Sequence, residues 1–138
     1  GDLVLQAFAR MSRGVVRDTD IVGRWGGEEF LIVLPDTTLD IGLAIVERVR
    51  QEALHIDAVE DLRVSLSAGL ATNEGNPSHL EEIIASADAA LYDAKKAGRD
   101  LVCVAPESYS LASTGVRRSL ASSGIEPTTG AFGRRTNV

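Results

Sequence analysis

The sequence predicts an α/β fold, a mixed β-sheet flanked by helices, and three observations lead there. Apolar residues recur at helical spacing in three separated stretches; two short apolar runs are joined by paired glycines; and one segment alternates apolar and small or polar residues in period two. Asp2 can cap a first helix whose Leu5, Phe8, Ala9, Ser12 and Val16 share a face, and which should end near Arg17. Ile21 to Trp25 and Phe30 to Leu34 read as a hairpin turning on Gly26-Gly27, because glycine reaches positive φ at little cost. Pro35-Asp36-Thr37-Thr38 breaks the second strand and offers caps for a second helix with a stripe of Ile41, Ala44, Ile45, Val49 and Ala53.

Leu62, Val64, Leu66, Ala68 and Leu70 alternate with Arg63, Ser65, Ser67 and Gly69, which predicts a strand with one buried face. Asn73 to Pro77 is a turn cluster, and Ser78 and Glu81 have capping-box spacing ahead of a third helix striped by Leu80, Ile83, Ile84, Ala87, Leu91 and Ala94. Gly98 is placed to stop that helix, and Leu101 to Val104 reads as a last strand. The order is therefore α-β-β-α-β-α-β. From residue 106 onward Ser, Thr, Gly and Pro make up 16 of 33 residues with few large apolar groups, which predicts a disordered tail, 106–138, behind a folded unit, 1–105.

Of 138 residues, 44% are hydrophobic and 25% charged, ordinary composition for one soluble domain. A net charge of −6 is not that of a protein that grips nucleic acid polymers through a basic face. No apolar run approaches a membrane span. Cys103 is the one cysteine, so no internal disulfide is possible; its setting Leu101-Val102-Cys103-Val104 predicts a buried, inert thiol, and a cytoplasmic location fits.

The chemistry-bearing stretch is Arg24-Trp25-Gly26-Gly27-Glu28-Glu29-Phe30. Carboxylates beside a tight turn suit a hard cation that bridges to phosphate, while on a regular strand adjacent Glu28 and Glu29 would point to opposite faces. A solvated hairpin tip is the plainer reading of Gly26-Gly27-Glu28-Glu29 alone. The flanks enlarge the pattern: Gly1-Asp2 with Leu5, Arg17-Asp18-Thr19-Asp20, Leu34-Pro35-Asp36-Thr37, Ser67-Ala68-Gly69-Leu70-Ala71, and the run Ala87-Asp88-Ala89-Ala90-Leu91-Tyr92 through Lys95 to Gly98-Arg99-Asp100. In these blocks and their order the chain resembles the GGDEF domain of diguanylate cyclases in its GGEEF spelling, from Gly1 to about Ala105.

That resemblance implies a palm-like fold similar to that of nucleotide polymerases and cyclases, and condensation of two GTP into cyclic di-GMP within a homodimer. It also implies that an opening helix and strand precede Gly1, with a metal-binding aspartate on the strand and, on the loop and helix after it, a lysine near the phosphates and a guanine-reading asparagine. A sensor or regulatory domain, or a membrane anchor, would lie further upstream. The chain alone should then be inactive and poorly soluble. Where the absent strand belongs, between the hairpin and Leu62–Leu70, unpaired sheet edges should remain, or the two flanking strands should pair directly in parallel.

By the same resemblance Glu28 is the catalytic base and a ligand of Mg2+ or Mn2+, Glu29 is a second ligand, and Asp2, Gly26, Gly27, Lys95 and Arg99 bind substrate. Lys95 and Arg99, four apart, would share one face of the last helix, where the helix dipole is a rival reason for basic residues. Capping is likewise the rival for Asp2. Arg17, Asp20 and Arg48 match an inhibitory site for cyclic di-GMP; a guanidinium fork suits phosphate or guanine acceptors and a carboxylate suits guanine donors. A receptor that binds cyclic di-GMP without making it is the alternative function. Trp25 and Tyr92 read as packing residues, His55 and His79 as unpartnered, and Lys96 as surface.

Overall fold

A computed structural model describes residues 1–57, 62–73, 80–106 and 134–137. The elements are α1 (Asp2–Val15), β1 (Ile21–Gly26), β2 (Glu29–Val33), α2 (Leu39–Ala53), β3 (Ser67–Leu70), α3 (Leu80–Lys96), β4 (Val102–Val104) and β5 (Arg134–Asn137). One five-stranded mixed sheet has the order β1-β2-β5-β3-β4, with β3 and β4 parallel and the other neighbours antiparallel. The α/β class and the α-β-β-α-β-α-β order up to β4 stand as expected.

Side-chain alternation along β2 sorts the two layers. Phe30, Ile32 and Leu34 point to the face covered by α1 and α2, where Phe8, Val49, Ala53 and Leu66 enclose Phe30, and Leu39, Val46, Ala68 and Leu70 enclose Ile32 and Leu34. The rings of Phe8 and Phe30 meet at 4.8 Å and a tilt of 54°, a favoured aromatic geometry. The opposite face receives α3 through Ile83, Ala87 and Ala90.

Burial on both sides corrects the expectation for the third strand. All four residues of β3 are buried, and Leu62, the supposed start of its apolar face, is half exposed. Gly69 is what lets α3 lie so close: a Cβ there would come within 1.9 Å of the Ala87 carbonyl oxygen and 2.3 Å of the Leu91 nitrogen. Other helical stripes shift too. In α2 the buried residues are Leu39, Gly42, Val46, Val49 and Ala53, while Ile41 is exposed, because the helix begins at Leu39 and that residue sets the phase. In α1 Val4 joins Phe8 and Ser12. Tyr92 does not pack inward; it is exposed with the Lys96 ammonium 5.4 Å from its ring centre.

The gap foreseen between β2 and β3 neither stays open nor closes by direct pairing. Residues 134–137, which composition placed in a disordered tail, form β5 there, with Thr136 opposite both Phe30 and Ala68. Unpaired edges of β2 and β3 offer donors and acceptors that a short extended segment satisfies whatever its composition. The remainder of that tail, 107–133 and 138, the turn residues 74–77 and the Ser78 cap lie outside the described residues.

Candidate functional site at the hairpin tip

The hairpin turns one residue later than the paired glycines suggest. Gly26 pairs with Glu29, so Gly27 and Glu28 are the two central residues; Gly27 has φ +37 and Glu28 projects, exposed, from the tip. The register slips by one residue between Arg24 and Gly26, leaving Trp25 in a bulge, 48% exposed, rather than packed within the hairpin. With Glu28 off the regular strand, strand alternation no longer separates the two carboxylates.

Arg24 fixes this tip. Its Nε donates to the Gly27 carbonyl at 2.8 Å and its Nη2 donates to the same oxygen, so one guanidinium closes the turn from the strand that enters it. Sequence reasoning passed over Arg24; the readable signal was a long cation two residues ahead of Gly26, within reach of the turn carbonyls. Arg24 also lines a cleft of about 360 Å3 between α1 and the hairpin, together with Asp2, Gln6, Arg13 and Phe30. Asp2 belongs to this cleft rather than to a cap: the N-cap is Gly1 with no side-chain capping bond, and Asp2 is the first helical residue.

On the other side of the turn Glu29 faces α3, and Lys95 Nζ lies 3.9 Å from its Oε1. Asp2, Arg24, Gly27, Glu28, Glu29 and Lys95 thus form one connected group at one end of the sheet, drawn from α1, the hairpin and the end of α3. Arg99 departs from expectation. The helix ends at Lys96, and Arg99 follows Gly98 (φ +122) in a left-handed turn at φ +63, its amide donating to the Ala94 carbonyl at 3.1 Å. Glycine breaks the helical phase, so Lys95 and Arg99 do not share a helical face. Among the described residues no cluster of three or more His, Cys, Asp or Glu side chains could enclose a metal. Glu28 and Glu29 alone still fit Mg2+ or Mn2+ chemistry, since such ions commonly take one or two carboxylates and complete their shell with substrate phosphates and water.

The second constellation is partly assembled. Arg17 and Asp20 form a fork, with Arg17 Nη2 2.8 Å and Nε 3.2 Å from Asp20 Oδ1, and the Arg17 amide donates to Asp20 Oδ2 at 2.8 Å. Arg17 also donates to the Pro35 carbonyl and to Thr37 Oγ1, which ties it to the Pro35-Asp36-Thr37 break. The hydrogen bond to Asp20 raises the Arg17 pKa. Arg48 stands exposed on α2, with no recorded hydrogen bond or ion pair to either residue. His55 only bonds the Gln51 carbonyl through Nδ1 at 3.1 Å, and His79 lies outside the described residues. The Cys103 thiol is partly buried and its pKa raised by that burial and by Asp93, as an inert thiol requires. No helix among the described residues is long and apolar enough to cross a membrane.

Comparison with known proteins agrees with this architecture. The chain is 42% identical over 105 residues to the diguanylate cyclase DgcM of Escherichia coli K12, covering 76% of this chain and 25% of that protein. It is 36% identical over 110 residues to the response regulator PleD of Caulobacter vibrioides, covering 74% and 24%. It therefore spans about a quarter of the length of these relatives. Its fold superposes on the active GGEEF domain of a diguanylate cyclase from Vibrio cholerae with TM-score 0.69 at 33% identity, covering 75% of this chain and 67% of that one. The GGDEF domain of DgcB from Caulobacter crescentus, solved in complex with c-di-GMP, aligns with TM-score 0.67 at 26% identity, covering 75% and 64%. With the family described as diguanylate cyclase, GGDEF domain, matching residues 1–101, the chain belongs to the GGDEF family.

Proposed function

We propose that this chain supplies the hairpin side of a diguanylate cyclase active site, in a protein that joins two GTP molecules into cyclic di-GMP and pyrophosphate as a homodimer. The observation that carries this reading is the connected group at the sheet end: a cleft containing Asp2, a turn held by Arg24 with Glu28 at its tip, and Lys95 beside Glu29. The cleft takes the guanine base, with Asp2 accepting from its N–H groups, and the exposed backbone of Gly26 and Gly27 lies against the phosphates. Lys95 and Arg99 neutralise phosphate charge, which is most of what phosphoryl transfer asks of a protein.

Glu28 takes the proton of the 3′-hydroxyl as its oxygen bonds to the α-phosphorus of the facing nucleotide and the bond to the pyrophosphate oxygen breaks. A divalent cation held by Glu28 and Glu29 would stabilise charge on the attacking and leaving oxygens. Two such sites face each other only in a dimer, and residues 1–138 alone, with the family's upstream ligands missing, produce no cyclic di-GMP. The parent protein acts in the cytoplasm, where its GTP substrate is found, under an upstream regulatory or sensor domain.

Arg17, Asp20 and Arg48 bind the product and slow the enzyme. Since Arg17 and Asp20 lie side by side apart from the hairpin tip, a cyclic di-GMP receptor without catalysis is the second reading. Turnover of GTP with Mg2+ by the full-length gene product decides between them. In the cyclase Glu28→Gln lowers kcat by about 10²-fold or more, as loss of a general base does; a full-length protein that binds cyclic di-GMP, makes none, and is indifferent to Glu28→Gln is a receptor.

A further inference from the structure

Three residues in succession after α3 are left-handed: Gly98 at φ +122, Arg99 at φ +63 and Asp100 at φ +50. Only the first is a glycine, and the side chains of the other two disfavour this backbone, Arg99 more than Asp100. Something outside the turn must hold it, and the holder is on α2. Arg50 Nη1 donates to Asp100 Oδ1 at 2.7 Å and to the Asp100 carbonyl at 3.2 Å. Its Nε and Nη2 donate to the Glu47 carboxylate at 2.9 and 2.6 Å. The Asp100 amide donates to Ser67 Oγ at 3.1 Å. Asp100 is thus gripped at its amide, carbonyl and carboxylate, and Arg99 is anchored on its other side by the bond from its amide to Ala94.

Arg50 is 13% exposed, and the paired carboxylates raise its pKa. It borders a cleft of about 480 Å3 with Asp40, Leu43 and Val102, yet its guanidinium is taken up by Glu47 and Asp100, so it is not arranged to receive an anionic ligand there. Arg99 is the opposite case: exposed, with no recorded protein partner for its guanidinium among the described residues, and flanked by backbone fixed on both sides.

We propose that Arg50 is a positioning residue for Arg99: by clamping Asp100 it holds the left-handed turn that aims the Arg99 guanidinium at the nucleotide phosphates. This rests on the reading of Arg99 as a phosphate ligand given above. The test is a double-mutant cycle on the full-length gene product, with KM for GTP and kcat read separately at a temperature well below the unfolding of every variant. Arg99→Ala raises KM by about tenfold, the loss of one charge-assisted contact. Arg50→Met raises KM several-fold with kcat little changed, Arg50→Lys falls between it and the parent, and Arg50→Met adds nothing in the Arg99→Ala background.

Multiplicative effects in the double variant, or an unchanged KM for Arg50→Met where Arg99→Ala is impaired, overturn the positioning role and leave the phosphate reading intact. An unchanged KM for Arg99→Ala removes the phosphate reading and the positioning role together. Arg50→Lys and Glu47→Gln, run through the same cycle, decide the matter where Arg50→Met does not fold.

Discussion

Replacing Gly69 with alanine places a methyl group where the backbone of α3 already lies. The ideal Cβ sits 1.9 Å from the Ala87 oxygen, 2.3 Å from the Leu91 nitrogen and 2.9 Å from the Leu91 Cα, all main-chain atoms, so no rotamer change relieves the overlap. To restore even 3.0 Å to the Ala87 oxygen, helix and strand must part by about 1.1 Å, which opens the buried contacts of Ile83, Ala87 and Ala90. Overpacking that can be accommodated costs about 1–3 kcal/mol, and a backbone clash belongs at or beyond the top of that range. At about 3 kcal/mol the melting temperature of a domain this size falls by roughly 12–20 °C. Thermal unfolding followed by circular dichroism measures it. Gly14→Ala is the internal control: nothing lies within 4 Å of a Cβ in that helical position, so alanine raises stability by about 0.5–1 kcal/mol. A Gly69→Ala protein that melts within 2–3 °C of the parent, about 0.5 kcal/mol on the same scale, refutes the packing described for β3 against α3.

Glu47 gives a pH dependence of definite sign. Its hydrogen bond to Arg50 lowers its folded pKa below the ordinary 4.5, so its contribution to stability is fully present above that value and is lost as pH falls through the folded pKa. A Glu47→Gln protein should therefore show a shallower loss of melting temperature than the parent on acidification below about pH 4.5; identical acid limbs would count against the pair. Cys103, whose pKa burial raises, should react with iodoacetamide at pH 8 well below the rate of an unfolded control and match it once denaturant is added. Calorimetry should show cyclic di-GMP binding abolished by Arg17→Ala and retained in Glu28→Gln, and the reverse pattern would overturn the proposed product site at Arg17 and Asp20. Thr136→Pro deprives β5 of a donor in the middle of the sheet and should lower the melting temperature, with an unchanged value disproving the strand's place between β2 and β3.

Elements with one strong period were readable in the chain. The hairpin, α3 with its glycine stop and the short β4 came from local signals, and the family pattern singled out Glu28, Glu29 and Lys95, which the fold brings to the same end of the sheet. Failures cluster where tertiary contact decides. β3 reads as half-buried because alternating small residues imitate a polar face, yet Gly69 is what admits α3 and Ser67 is buried with its hydroxyl accepting from the Asp100 amide. Asp2 taken alone looks like a cap because an acid near a helix start commonly is one; the family pattern set it with the substrate residues, and Arg24 and Phe30 share its cleft. Arg50 was invisible for a similar reason: its partner Asp100 lies fifty residues on, and no local pattern links them. β5 was illegible in a Ser-, Thr- and Gly-rich segment, since what recruits it is the open edge of two other strands.

The position of β5 bears on how the domain assembles. Among the described residues, hydrogen bonding across the sheet passes from the hairpin to the β3–β4 pair through residues 134–137, about thirty positions beyond the end of β4. The ladder is completed by its most distant segment, and loop-closure entropy must be overcome before that segment gains anything from its neighbours. Hairpin and β3–β4 should form early as separate ribbons under their helices, with continuity between them arriving as a late, slow event that any competing extended peptide could intercept.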